Sequence, residues 1–198
     1  MRCAERLHES GVRGRRVRVL AGHLNRLIPR GITVLDIGSG DGRIAQALAA
    51  TRPDLDICGV DVLVRPDAAI PVRQFDGVKL PFGDKTYGAT VLVDVLHHCE
   101  DPVAILAEAS RVAPLVIVKD HIADSALAVW ILRFMDDVGN DRFGVALPYN
   151  YWSRAQWKEA LASLGLVVEA WVGSLGLYPA PFSWVFEGSL HFAARLRG

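Results

Sequence analysis

A glycine-rich loop between a strand and a helix constrains the fold of this chain most strongly. The compact apolar run ITVLDIG, from Ile32, predicts a strand buried on both faces, and the helical stretch RIAQALAA begins at Arg43. Between them, Gly38, Gly40 and Gly42 have G-x-G-x-G spacing. Such glycines let backbone amides approach a ligand closely, because a side chain there would occupy the ligand's space. The loop therefore predicts an α/β fold with a ligand site at the end of its first strand.

The spacing and charge of this loop narrow the class of ligand. A dinucleotide fingerprint has G-x-G-x-x-G spacing and places a pyrophosphate at the helix N-terminus. Here the spacing differs, and Asp36 lies two residues before the first glycine. A carboxylate there would repel a pyrophosphate but suits a cationic ammonium group. A nicotinamide-dependent oxidoreductase is thus disfavoured by the glycines, although it would share an acidic residue after the second strand.

Alternating strand and helix patterns predict the architecture. A fourth strand is expected at 88–96, a fifth at 115–120, and helices at 125–138 and from Ser153 through Leu164. We predict a doubly wound, seven-stranded, mostly parallel sheet that ends in an antiparallel hairpin, since the last two strands have no helix between them. Only about ten residues separate the second and third strands, so the second crossover helix should be truncated or missing.

Length and charge indicate one domain over 1–198, with a basic helical lead-in at 1–30 and an α/β core at 31–198. The chain has 22 basic and 22 acidic residues, which argues against a dedicated nucleic-acid binder. The lead-in is locally basic, with two glutamates against eight arginines: Arg2, Arg6, Arg13, Arg15, Arg16, Arg18, Arg26 and Arg30. We expect a solvated lid, with a phosphate-bearing substrate or an anionic membrane surface as alternatives. Interleaved aromatic residues, which would stack on bases, are absent from it.

Three scattered cysteines indicate a reducing compartment. Cys3, Cys58 and Cys99 form no CxxC pair and no metal-ligand pattern, so we expect a cytoplasmic protein without a metal site. No charged and apolar leader opens the sequence, and no apolar run is long enough for a membrane span. Peripheral membrane contact remains open.

Three motifs in order resemble the class I S-adenosylmethionine-dependent methyltransferases. The glycine loop is similar to motif I of that family; Asp61 ends the second strand, 19 residues beyond Gly42, and Asp76-Gly77 follows the third. The run from Leu80 to Pro114 resembles the methyltransferase type-11 group, which includes quinone-biosynthesis enzymes. The resemblance implies a Rossmann-like fold, S-adenosylmethionine as cofactor, Asp61 on the ribose hydroxyls and an acidic contact from Asp76 to the adenine amino group. The implied cofactor-binding residues are Asp36, Gly38, Ser39, Gly40, Asp41, Gly42, Asp61, Val62, Asp76, Gly77, Val93, Asp94 and Val95.

Histidines at two strand ends are the candidate catalytic groups. Ligands of open α/β sheets bind beyond the carboxyl ends of the strands, where His97, His98 and His121 are expected. A histidine near its ordinary pKa can accept a proton from a methyl acceptor, if a base is needed at all. The alternative is that these residues orient the loop or pack under the cofactor, and that Asp94 caps the backbone.

Aromatic residues are frequent after Phe143 and suggest an apolar or aromatic acceptor. In the family this part of the chain covers the acceptor, so we expect Tyr149, Asn150 and Tyr151 to bind substrate. Ordinary core packing is the alternative, especially for Trp157 and Trp171.

These observations predict a methyltransferase that transfers a methyl group from S-adenosylmethionine to a small-molecule or lipid-like acceptor, at oxygen or carbon rather than on nucleic acid. The alternative is a cofactor-binding regulatory or partner module without catalysis of its own.

Overall fold

A computed structural model describes the backbone of residues 2–140 and 148–198 and the side chains of residues 14–138 and 148–198. Phe143 lies outside the described residues. The strands are β1 (Thr33–Ile37), β2 (Asp56–Asp61), β3 (Val72–Gln74), β4 (Ala89–Val93), β5 (Leu115–His121), β6 (Val167–Val172) and β7 (His191–Arg197). The helices are α1 (Arg2–Leu27), α2 (Arg43–Thr51), α3 (Pro102–Val112), α4 (Ala126–Asn140), α5 (Arg154–Ser163) and α6 (Ser183–Phe186), and a 3-10 turn spans Leu96–His98.

The seven strands form one sheet in the order β3-β2-β1-β4-β5-β7-β6, which confirms the predicted fold class. Strands β1 to β5 pair in parallel, whereas β7 is antiparallel to both β5 and β6. The strand order reverses between β1 and β4, so a crevice forms beyond their carboxyl ends. This is the position at which open α/β sheets bind ligands.

Two predicted details of the connections can be compared with the structure. Between β2 and β3 the chain forms only turns and bends, so the second crossover helix is indeed missing. The C-terminal hairpin is present, but its connection contains the short helix α6, which we did not predict. Four residues are too few to give a helical periodicity in the sequence.

Local capping explains where two helices begin. Asp101 accepts a hydrogen bond from the Ala104 amide at 2.9 Å, and Pro102 occupies the first helical position of α3. At α5, Ser153 and Gln156 form a capping box, and the helix begins at the position predicted from the sequence. These two caps determine where α3 and α5 begin, and both helices cover the sheet.

The C-terminal half of α1 is part of the core. Leu20, Leu24, Leu27 and Ile28 are buried in a cluster that also contains Leu48 of α2. The lid interpretation of the lead-in can therefore apply only to residues before this segment, and there it stays a prediction.

Candidate cofactor and acceptor site

A cavity of about 630 Å³ lies beyond the carboxyl ends of β1 to β4. Eight of the thirteen predicted cofactor-binding residues line it: Gly38, Gly40, Asp61, Val62, Asp76, Gly77, Asp94 and Val95. The other five, Asp36, Ser39, Asp41, Gly42 and Val93, are not among its lining residues. The cavity thus brings together residues from the ends of four strands.

Gly38 and Gly40 serve different purposes in the loop after β1. A Cβ at Gly38, where φ is 70°, would lie 2.6 Å from Cγ2 of Val95, so the loop can approach β4 closely only with glycine. A Cβ at Gly40, where φ is 58°, would meet no atom within 4 Å. Because Gly40 lines the cavity, that open space is part of the cavity.

Asp61 is held by two backbone amides. Its Oδ2 accepts a hydrogen bond from the Gly40 N–H at 2.8 Å, and its Oδ1 accepts one from the Leu63 N–H at 2.9 Å. Each carboxylate oxygen has a further lone pair with which to accept a bond from a ligand hydroxyl. The end of β2 is therefore fixed relative to the glycine loop, with a preorganised acceptor for a diol.

Asp76 has a similar arrangement after β3. Its Oδ1 accepts hydrogen bonds from the amides of Val78 and Lys79, each at 2.8 Å, and these bonds lower the pKa of the carboxyl group. The side chain is exposed to the cavity mouth as an ionised acceptor.

Asp36 is buried behind the loop. Burial, reinforced by the nearby charge of Asp61, raises the pKa of Asp36 to about 7. The Ser39 hydroxyl donates to the Asp36 carbonyl at 2.8 Å and stabilises the turn. A cationic ligand in the cavity would favour the ionised form of Asp36 through space, without the direct contact that we expected.

On the other side of the cavity, Asp94 forms ion pairs with Arg16 of α1 and Lys119 of β5. Burial opposes ionisation of Asp94, but the two cations outweigh it and hold its pKa well below the usual range. Asp94 has φ of 57°, a strained conformation for a residue with a side chain. Sequence reasoning missed both ion pairs because the two cations come from elements distant from Asp94 in the sequence.

His97 lies beneath this region, between two carboxylates. Its Nδ1 is 2.7 Å from Oδ1 of Asp120, and its Nε2 is 3.3 Å from Oδ2 of Asp136. Burial disfavours charge on His97, but the carboxylates dominate and raise its pKa to about 10. His97 is therefore a buried imidazolium at neutral pH, which is unsuited to accept a proton.

His121 is neutral and oriented by the same aspartate. Its Nδ1 is 3.1 Å from Oδ1 of Asp120, and its Nε2 is 3.7 Å from Oδ1 of Asp94. Burial, together with the Lys119 charge, lowers the pKa of His121 to about 4. His121 thus lies between Asp120 and Asp94, but it does not line the cavity.

His98 is the one predicted catalytic histidine that lines the cavity. Burial and the adjacent His97 charge lower its pKa, so it is neutral at pH 7. Its Nδ1 is buried and has no hydrogen-bond partner among the described residues.

The predicted substrate residues contact the protein itself. Asn150 donates from Nδ2 to the Cys99 carbonyl at 2.6 Å, while the hydroxyls of Tyr149 and Tyr151 donate to Asp137 and Asp136. None of the three lines the cavity. Asn150 holds the segment before α5 against the turn after β4, and the two tyrosines hold it against α4.

The two tryptophans expected in the core differ. Trp157 is buried and donates from Nε1 to the His121 carbonyl at 2.9 Å. Trp171 lies on edge strand β6, stacks on Phe192 and is 41% exposed. Because β6 is an edge strand, no further strand or helix of the described residues covers the exposed part of the Trp171 ring.

Two groups of side chains have donor atoms close enough for a metal ion. They are His97, Asp120 and His121, and His97, His98 and Asp136. The contacts between these residues already pair their charges, because protonated His97 lies between Asp120 and Asp136. We therefore assign His97, Asp120, His121 and Asp136 to an ion-pair network, which we call the Asp120 network.

Comparison with known proteins agrees with this fold. A possible histamine N-methyltransferase from Thermotoga maritima is 19% identical, with a TM-score of 0.69 over 98% of this chain and 95% of that chain. A putative methyltransferase from Haloferax volcanii, solved in complex with the Trm112 activator, is 17% identical, with a TM-score of 0.69 over 96% and 93%. A 1,6-didemethyltoxoflavin-N1-methyltransferase from Burkholderia thailandensis, with S-adenosylhomocysteine bound, is 16% identical, with a TM-score of 0.64 over 92% and 77%.

These likenesses define the fold as that of the class I methyltransferases. Residues 12–170 match the methyltransferase domain family, so the chain belongs to that family. A search of curated proteins finds no significant match. Among the described residues, no helix is long and apolar enough to cross a membrane.

Proposed function

We propose that this protein transfers a methyl group from S-adenosylmethionine to a small-molecule or lipid-like acceptor, at oxygen or carbon. The observation that carries the proposal is the hydrogen bond that joins the Asp61 carboxylate to Gly40 at the wall of the cavity. A carboxylate fixed beside an open glycine loop suits a cationic nucleoside with a ribose diol. The free cysteines Cys58 and Cys99 support a cytoplasmic location.

The residues that would hold the cofactor lie in three places. Gly38 and Gly40 leave room beside the loop, Asp61 would accept from the ribose hydroxyls, and Asp76 with Gly77 would meet the adenine. Bound S-adenosylmethionine supplies an electrophilic methyl carbon, so the protein must mainly orient the acceptor and exclude water. The cavity volume of about 630 Å³ accommodates a ligand of nucleoside size.

For an acceptor that loses a proton, we assign the base to His98. Its neutral imidazole lines the cavity close to Asp94, and its buried Nδ1 has no partner among the described residues. His97 and His121 would act as positioning residues, because both are buried in the Asp120 network. Through their contacts with the protein, Tyr149, Asn150 and Tyr151 would hold in place the part of the chain next to the acceptor.

Radiolabelled methyl transfer into fractionated cell extract tests the proposal. We expect label from S-adenosylmethionine in a lipid or small-molecule fraction, and at least about a tenfold lower rate for His98→Gln. His23→Gln provides the matched control, since His23 bonds the Leu175 carbonyl away from the cavity. Label in nucleic acid only, or full activity of His98→Gln, would refute the acceptor class or the base, respectively.

One observation favours the alternative of a partner module without catalysis. Arg16 and Lys119 form ion pairs with Asp94 on the side of the cavity where the methyl acceptor would bind. An acceptor would therefore have to displace or tolerate these ion pairs. One methyltransferase of similar fold was solved in complex with an activator, Trm112. If the purified chain binds S-adenosylhomocysteine but labels no fraction, either alone or with a co-purifying partner, the partner-module function is the correct one.

A further inference from the structure

Asp36 is a buried carboxylic acid that lacks a counter-charge. The residue is only 8% exposed. Among the described residues, no cation pairs with its carboxyl group and no backbone amide donates to it; the Ser39 hydroxyl alone favours its ionised form. A buried carboxylate is costly unless a cation or hydrogen-bond donors replace the water that it has lost.

The other two buried carboxylates in the described part of the chain have such partners. Asp120 contacts His97 and His121, and its second oxygen accepts a hydrogen bond from a backbone amide. Glu187 accepts hydrogen bonds from three backbone amides. Asp36 is therefore the exception, and its partner has to come from outside the chain.

The charged groups on the neighbouring elements do not supply the missing cation. Asp61, at the end of β2, adds a negative charge that opposes ionisation of Asp36. Asp94, after β4, already occupies both Arg16 of α1 and Lys119 of β5. Each nearby cation from these elements is thus committed to another carboxylate.

Helix α2 does not supply the cation either. Arg43, at its first position, lies 3.4 Å from the Asp41 carboxylate, and 61% of its side chain is exposed. Burial and the charge of Asp61 therefore raise the pKa of Asp36 to about 7, so the carboxyl group is about half protonated at neutral pH.

Asp36 lies directly behind the wall of the cavity. It precedes Ile37 and Gly38, which line the cavity, as does Asp61 on the neighbouring strand. A cation bound in the cavity would act on Asp36 across this wall, where little water screens the interaction. S-adenosylmethionine carries an ammonium and a sulfonium cation, S-adenosylhomocysteine keeps only the ammonium, and adenosine has neither.

We propose that Asp36 releases a proton when the cavity binds S-adenosylmethionine, and that a cation of the ligand then serves as its counter-charge. The proton passes to the solvent, and the ammonium or sulfonium balances the negative charge that stays on the carboxyl group. Asp36 is thereby a specificity-determining residue, which favours cationic ligands over neutral nucleosides. The inference rests on the proposed function, because it takes S-adenosylmethionine as the ligand.

The affinity for S-adenosylmethionine should fall as the pH drops below 7. Binding requires the ionised form of Asp36, so a protein in which Asp36 is protonated must first lose that proton. With a pKa of about 7 for Asp36, the dissociation constant should be about tenfold higher at pH 6 than at pH 8. The pKa values of His97, about 10, and of His121, about 4, lie outside this range. Adenosine should bind equally at both pH values.

Calorimetric titration of the full chain at pH 7, in phosphate and in Tris buffer, counts the protons, because the two buffers differ in ionisation enthalpy. We expect the wild type to release about half a proton for each S-adenosylmethionine bound and none with adenosine. Asp36→Asn should release none, bind S-adenosylmethionine equally at pH 6 and pH 8, and keep its affinity for adenosine. Asp56→Asn, at the opposite end of β2, is the matched control and should behave like the wild type.

Two results would overturn the role of Asp36: no proton release by the wild type with S-adenosylmethionine, or the same release by Asp36→Asn. If Asp36→Asn binds no adenosine and is therefore misfolded, the wild type decides, since equal pH dependence for both ligands rejects the proposal. Release with S-adenosylhomocysteine as well assigns the counter-charge to the ammonium, and release with S-adenosylmethionine alone assigns it to the sulfonium.

The same titrations separate this inference from the proposed function. Binding of S-adenosylmethionine without proton release rejects only the role of Asp36. Proton-coupled binding without methyl transfer in the radiolabelling experiment rejects only the methyltransferase function. No binding of either ligand rejects both.

Discussion

The Asp61 carboxylate accepts a hydrogen bond from the Gly40 amide at 2.8 Å, and this bond connects the ends of β1 and β2 across the cavity wall. The two residues are far apart in sequence but act as one unit, since the loop conformation and the carboxylate orientation determine each other. A ligand diol would meet a preorganised acceptor here and would lose little free energy in ordering it.

Gly40→Ala should block cofactor binding without unfolding the protein. The added methyl group would occupy open space that belongs to the ligand, while φ of 58° costs about 1 kcal/mol of stability for a non-glycine residue. We expect at least about a tenfold rise in the dissociation constant of S-adenosylhomocysteine, measured by calorimetry.

Gly165→Ala is the matched control for that substitution. Gly165 also has positive φ, 66°, and open space around its missing Cβ, but it lies after α5, away from the cavity. It should show a comparable loss of stability and unchanged ligand binding. Equal binding losses in both variants would mean that backbone strain, rather than occupancy of the site, explains the effect.

His97 should make stability depend on pH. Its folded-state pKa of about 10 exceeds the ordinary value of 6.5, so its charge stabilises the fold fully below pH 6.5, and this contribution is lost as pH rises through 10. His97→Gln should therefore be less stable by roughly 3 kcal/mol at pH 6, and the difference from the wild type should shrink toward pH 10.

Urea unfolding at several pH values measures this difference. His23→Gln, outside the Asp120 network, should keep the wild-type dependence on pH. A stability difference for His97→Gln that stays constant from pH 6 to pH 10 would show that the residue acts by packing and not by charge.

Arg52 should be important for anchoring α1. Its guanidinium is buried and donates to the carbonyls of Asn25, Ile28 and Pro29, as well as to Asp54. Arg52→Met would leave these acceptors unpaired, so we expect a loss of about 2 to 4 kcal/mol in the free energy of unfolding. Arg26→Met, at an exposed position of α1, should change stability by no more than about 0.5 kcal/mol. Equal stability of the two variants would contradict the anchoring role.

Much of the fold could be predicted because its signals are local. The glycine loop and the apolar strands each occupy a short stretch of sequence, and parallel strands bring their carboxyl ends to one edge. That is why Asp61, Asp76 and Val95 were expected where the cavity now lies. Helix α6 escaped prediction because it is a single turn.

The acceptor side could not be predicted in the same way. The contacts of Arg16 with Asp94 and of His97 with Asp120 join elements far apart in the chain, and their partners follow only from three-dimensional packing. The sequence pointed to Tyr149 and Tyr151 as substrate contacts, and this stays a prediction. What the sequence did not indicate is that their hydroxyls donate to Asp137 and Asp136. The sequence showed that ionisable side chains gather at this edge of the sheet. It did not show which of their charges pair with one another.

Calorimetric titration of S-adenosylhomocysteine into the wild type and Asp61→Asn tests the central claim most directly. Asp56→Asn is the matched control, because Asp56 is an exposed aspartate at the opposite end of β2. We predict saturable binding to the wild type and to Asp56→Asn, and at least about tenfold weaker binding to Asp61→Asn, since replacing a carboxylate oxygen by an amide NH₂ removes an acceptor. No binding to the wild type, or equal affinity in all three proteins, would contradict the assignment of this cavity to S-adenosylmethionine.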